Sequence, residues 1–259
     1  MHHDPLILTL AAIFGAAVGS FLNVVILRLP QENSSIVFPA SHCPLCKSPL
    51  SWTENIPVIS YLFLRGRCGH CRAPISIQYP LVEALTAILT TALVYRFGLT
   101  PTTAGYFLFV TALIVIIWID IHHQIIPDVI SLPGIVIGLA FAIINSFITW
   151  QDSLIGLLAG GGILYAVALL YYLIRKQEGM GGGDIKLLAM IGAFLGWQSL
   201  PFVILISSIT GSGIGLLVLS LQKKGANTRI PFGPFLSCAA LVYLFFRETI
   251  LHLFRTYYL

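Results

Sequence analysis

Charge is what this chain lacks most. Only 9% of its 259 residues are Asp, Glu, Lys or Arg, against 57% hydrophobic, and the mean hydropathy is +0.92. Soluble domains carry about 25% charged residues, so composition alone excludes a water-soluble enzyme and implies a membrane protein. A cleavable leader pattern is also missing. Met1-His2-His3-Asp4 runs directly into an apolar segment over 6–27, which is long enough to span and is expected to stay as the first transmembrane helix. No repeat of fixed period is visible, which counts against transporter folds built from repeats. The net charge of +4 is modest, and no nucleic-acid partner is expected.

What is present is a series of apolar runs near 6–27, 80–97, 103–119, 130–149, 153–174, 187–200, 202–221 and 233–252. They predict an all-α polytopic membrane protein of about eight transmembrane helices. The sixth run is short, and its boundary with the seventh, at 197–201, is the least sharply marked. Eleven of the fourteen Lys and Arg residues fall in 28–79, 175–186 and 223–229. With eight spans those three segments lie on one side, which the positive-inside rule makes the cytoplasm. Both termini are then expected outside.

Three segments follow: a first helix over 1–27, a soluble loop over 28–79, and a helical membrane domain over 80–259. The loop is too short for a confident core of its own, so a staple is expected. Cys43-Pro44-Leu45-Cys46 and Cys68-Gly69-His70-Cys71 supply one. Four thiolates in two Cys-x-x-Cys knuckles suit a tetrahedral, zinc-ribbon-like Zn²⁺ site. Two disulfides are the alternative, although they rarely persist in a reducing cytoplasm. Four sulfur ligands leave no open position, so a structural role is expected. His42 and His70 read as bystanders, and Cys238 as a small buried hydrophobe.

The stretch Gly179-Met180-Gly181-Gly182-Gly183-Asp184-Ile185-Lys186 puts a carboxylate between a glycine turn and an apolar run. Asp184 suits a helix N-cap, yet an ionisable residue at the edge of a span is also a functional candidate. A possible partner is Asp120, at the end of the third apolar run and at the same predicted membrane face. Two close carboxylates share one proton and can act as base and acid together. That is the requirement of an aspartic protease, and Gly181 and Gly183 would let a substrate backbone approach. Asp184, at a helix start, is the member expected to carry the charge. Asp128, after Pro127, reads as a helix cap, and His122 and His123 as interface residues. The alternative is a transporter or proton channel with interfacial carboxylates.

Several further motifs stand in order along the chain: Gly19-Ser20-Phe21-Leu22-Asn23, Arg28-Leu29-Pro30, Asn55-Ile56-Pro57, Ser60-Tyr61 and Tyr79-Pro80-Leu81-Val82-Glu83. With the two knuckles, Asp-x6-Pro-Asp at 120–128 and Gly-x-Gly-Asp at 181–184, the chain resembles the type IV prepilin peptidase family, the GxGD aspartic proteases of the bacterial inner membrane. The resemblance implies cleavage of the basic leader of prepilins and pseudopilins before an aromatic residue, usually Phe. It also implies S-adenosylmethionine-dependent methylation of the new amino terminus, associated with the tetracysteine loop. By the same resemblance Asp120 and Asp184 are the catalytic pair, and Cys43, Cys46, Cys68 and Cys71 the zinc ligands. Glu83, Glu54 and Asn23 are candidates for the methyl-donor site, as polar groups near cytoplasmic helix ends. Glu32, Glu54 and Glu178 can attract a basic leader. The resemblance implies a setting in pilus, type II secretion or competence machinery, with the choice among them left open, in a lipid bilayer.

Overall fold

The computed structural model describes residues 4–31, 35–38, 41–43, 45–177, 181–222 and 230–258. Glu32, Glu178, Gly179, Met180, Lys223, Lys224 and Arg229, all used in the sequence reading, lie outside them. Each of the eight apolar runs is a helix: α1 Pro5–Arg28, then, after a short α2 (Ile59–Phe63) in the loop, α3 Gln78–Phe97, α4 Pro101–His123, α5 Asp128–Ile144, α6 Trp150–Arg175, α7 Gly182–Leu195, α8 Leu200–Gln222 and α9 Gly233–Tyr258. Among the described residues the only extended pairings are two isolated β-bridges.

Six of these helices are long and apolar enough to cross a membrane. The exceptions are α5, with 17 residues, and α7, with 14. A helix of that second length reaches about 21 Å at 1.5 Å per residue, short of a hydrocarbon layer of about 30 Å. The indistinct boundary at 197–201 resolves at Gly196, whose φ of 79° stops α7. One 3₁₀ turn, Trp197–Ser199, follows before α8.

The chain forms two compact units, Met1–Val115 and Ile116–Leu259, divided within α4. In the first, α1 lies against α3. Gly19 makes the approach possible, since a Cβ there would stand 2.7 Å from the Glu83 Cα. In the second, α7 is the central element, with every residue from Leu187 to Leu195 buried. Apolar helices gain little from leaving lipid for each other, so close packing of small residues has to hold them together. Gly156 of α6 and Gly192 of α7 meet backbone to backbone, and the Ser153 hydroxyl donates to the Ala193 carbonyl (2.6 Å). Cys238, expected buried, is exposed on α9, because the buried face of that helix is made by Leu236, Ala239, Ala240 and Tyr243, at helical spacing that leaves position 238 outside it.

Candidate active site and metal centre

Asp120 lies in the last turn of α4 and is only 4% exposed. The chain turns at once, with Gln124 in the left-handed region (φ 55°) and its N–H donated to the Asp120 carbonyl (2.9 Å). The Asp120 Oδ2 accepts the backbone N–H of Gly233 (3.0 Å). Gly233 opens α9, so this amide is one of those a helix start leaves without an internal partner, at the positive end of the helix dipole. Asp184 is the third residue of α7 and half-buried. It lies within electrostatic reach of Asp120, and both its neighbour Gly183 and the Asp120-bound Gly233 face Ile126. The helix-terminal donor belongs to Asp120, however, and not to Asp184 as expected. The reason is that α9 aims its amino terminus at a residue 113 positions earlier, which no local pattern records.

Ile126 is wedged between Gly183 and Gly233. A Cβ on Gly183 would lie 2.9 Å from the Ile126 Cβ, and one on Gly233 would lie 3.2 Å from its Cδ1. The same Cβ on Gly233 would stand 2.6 Å from the Asp120 Oδ2. Gly183 is thus used for packing, whereas Gly181, the N-cap of α7, has open space where a side chain would be. Asp128 is the first residue of α5 and not its cap. Its carboxylate accepts from the Lys186 ammonium through both oxygens (2.7 and 2.8 Å), joining α5 to the first turns of α7. His122 and His123 are exposed.

In the amino-terminal unit, the ligand atoms of Cys43, Cys46, Cys68 and Cys71 lie within 4.8 Å of one another. All four are free thiols. Cys43 Sγ and Cys71 Sγ are 3.8 Å apart, which matches the edge of a tetrahedron with Zn–S bonds of about 2.3 Å, about 3.8 Å. The two knuckles are built alike. Cys43 and Cys68 each donate an N–H to the carbonyl five residues on, and each carbonyl accepts from the residue four on. Those residues, Lys47 and Arg72, share a φ of 60°. The signal was present as Cys-x-x-Cys-Lys-x-Pro-Leu and Cys-x-x-Cys-Arg-x-Pro-Ile. Ser48, through its hydroxyl first and its backbone N–H second, draws the Cys46 thiol down to about 6, which favours the thiolate that a metal requires. These four sulfurs can hold a metal ion.

Glu83, Glu54 and Asn23 line one cavity of about 620 Å³ in this unit. Glu83 is buried, and its Oε2 accepts the Val58 N–H (2.7 Å). Val58 has a φ of 61°, an outlier for a β-branched residue.

Two family models cover most of the chain. Residues 13–97 match the bacterial peptidase A24 N-terminal domain, and residues 107–216 match the type IV leader peptidase family. A protein of Pseudomonas aeruginosa called prepilin leader peptidase/N-methyltransferase is 39% identical over 276 residues, covering 98% of this chain and 94% of its own. The chain belongs to the type IV leader peptidase family. Relatives of the same description are similarly close in Aeromonas hydrophila (37% over 274 residues, 97% and 94% covered) and Stutzerimonas stutzeri (39% over 270 residues, 95% and 93% covered). No solved structure matches. In this leader-peptidase chain the residues that sequence reasoning missed are Gly233 and Ile126. Pro231-Phe232-Gly233-Pro234 marks a turn before a helix, but nothing in it names Asp120 as the recipient of its amide.

Proposed function

We propose that this chain is a bacterial inner-membrane endopeptidase that removes the basic leader from type IV prepilins and pseudopilins and methylates the new amino terminus with S-adenosylmethionine. The observation that carries the reading is that Asp120 and Asp184 stand within electrostatic reach of each other in a chain of this family. The relatives' shared name supports both activities and lends nothing to an ion-relay reading. Hydrolysis is of the aspartic type. Asp120, hydrogen-bonded to the α9 terminus, is the ionised member, and Asp184 carries the shared proton. Asp120 takes a proton from water as the water oxygen bonds to the scissile carbonyl carbon, while Asp184 protonates the carbonyl oxygen. Collapse breaks the C–N bond. The leaving amine takes the proton from Asp120, and the diol hydroxyl returns one to Asp184.

The open side of Gly181 admits the substrate backbone, and Gly183 keeps Ile126 and the α7 start in register. The segment 80–259 does the peptidase work, and the loop 28–79 serves methyl transfer. Cys43, Cys46, Cys68 and Cys71 hold a structural Zn²⁺. Both termini face outward and the aspartates work at the cytoplasmic face, where a substrate keeps its basic leader in water and its apolar segment in lipid. Glu54 adds a negative charge for that leader. S-adenosylmethionine, when bound, would supply an electrophilic methyl group for the new amino terminus once that amine has lost its proton to water.

Purified enzyme, a prepilin and S-adenosylmethionine, with product mass as the readout, test the reading. The expected product lacks the leader and carries one added methyl group. An intact prepilin contradicts the proposal, and a cleaved but unmethylated product removes its second half.

A further inference from the structure

Asn23, Glu54 and Glu83 are scattered over sixty positions of sequence yet meet at one cavity. At about 620 Å³ it falls inside the range of roughly 300–1,000 Å³ for small-molecule sites. Tyr61 and Tyr79 give it aromatic wall. Cys43 and Cys68 line it as well, so the metal cluster forms part of its boundary.

Its polar groups are specific. The Asn23 side chain is 2% exposed. Its Nδ2 donates to the carbonyls of Gly19 (3.3 Å) and Tyr79 (3.1 Å), while its Oδ1 is buried with no partner. Buried acceptors are rarely left so. Glu83 is a buried carboxylate, and the backbone it holds at Val58 is strained, a condition that collects at ligand sites. Ser51, through its backbone N–H and then its hydroxyl, keeps the Glu54 carboxyl below its ordinary range, which favours its charged form at this cavity. Arg28 and Lys47 are also in the lining.

A ligand for such a cavity needs hydrogen-bond donors and positive charge for the acceptors, a flat ring for the tyrosines, and one carboxylate for the cations. We infer that this cavity is the S-adenosylmethionine site. The donor's ammonium, ribose hydroxyls and sulfonium meet Asn23, Glu83 and Glu54, its adenine lies among the tyrosines, and its carboxylate faces Arg28 or Lys47. A nucleoside triphosphate would bring its phosphates against Glu54 and Glu83. The assignment rests on the methyl-transfer reading above.

The test is ultraviolet crosslinking of methyl-labelled S-adenosylmethionine to the full-length enzyme in detergent, with the label mapped by peptide. Label in peptides between residues 20 and 83, removed by excess S-adenosylhomocysteine and not by ATP, is the expected result. In equilibrium binding, Glu83→Gln and Asn23→Ala should each weaken S-adenosylmethionine about tenfold, the loss of one hydrogen bond in a charged site. Because either variant can disturb folding, the crosslink on the unaltered enzyme decides. Methylated product with the label mapped outside 20–83, or label displaced equally by ATP, overturns the cavity assignment alone. Absence of both label and methylated product overturns it together with the methyl-transfer reading.

Discussion

At the scale of single residues, the Asp120 site consists of a carboxylate, the Gly233 amide and the absence of a methyl group on that glycine. A Cβ on Gly233 would stand 2.6 Å from the Asp120 Oδ2, so Gly233→Ala must move the carboxylate or the helix start. Displacements near 1 Å cost about 10²-fold in rate. Leader cleavage by Gly233→Ala should therefore fall by about that factor in kcat, read from the initial rate on a saturating prepilin. Gly181→Ala fills open space, so its effect should appear in KM instead. The two aspartates stand out in the sequence because acids are rare in this chain and both lie at the ends of apolar runs. The donor to Asp120 was not legible there, because its location depends on how α9 returns to α4. The candidates Asn23, Glu54 and Glu83 were legible one by one as polar groups near helix ends, but their shared cavity was not.

At the scale of elements, helix existence was legible and helix length was not. Long apolar runs declare themselves by composition, whereas α7 stops at Gly196 after 14 residues in the middle of a run that stays apolar. Helix faces were equally hard to read, since a segment apolar on all sides gives no stripe to orient it. The packing instead rests on glycine. Gly192→Val would drive α6 and α7 apart at the Gly156 contact, and overpacking of this kind costs about 1–3 kcal/mol. Thermal unfolding in detergent should show that loss for Gly192→Val, and little change for Gly162→Val, where a Cβ meets nothing within 4 Å. Equal stability of the two variants would mean that the α6–α7 contact does not hold the central helix. The exposed pair Asp128–Lys186 contributes far less, within the about 0–1 kcal/mol of surface ion pairs, and serves to keep α5 and the α7 start in register.

At the scale of the whole molecule, two units hold two candidate centres, each within a single unit. The staple in the loop was legible because Cys-x-x-Cys pairs are rare and local. The division inside α4 was not, since an unbroken apolar run carries no mark of where its neighbours change. Because two of the four cysteines line the cavity, metal removal should abolish methyl transfer. A chelator is expected to release one zinc per chain, measured by elemental analysis, with loss of the added methyl group in product mass. Acidification should weaken metal retention, since each ligand must give up its proton to bind.

The central claim is that Asp120 and Asp184 act as one pair in cleavage and in nothing else. The direct measurement uses Asp120→Asn and Asp184→Asn, each given an intact prepilin in one reaction and an already cleaved pilin in another, both with S-adenosylmethionine. Each variant should leave the prepilin uncut while adding one methyl group to the cleaved pilin. Cleavage by either variant at the rate of the unaltered enzyme would contradict the pair.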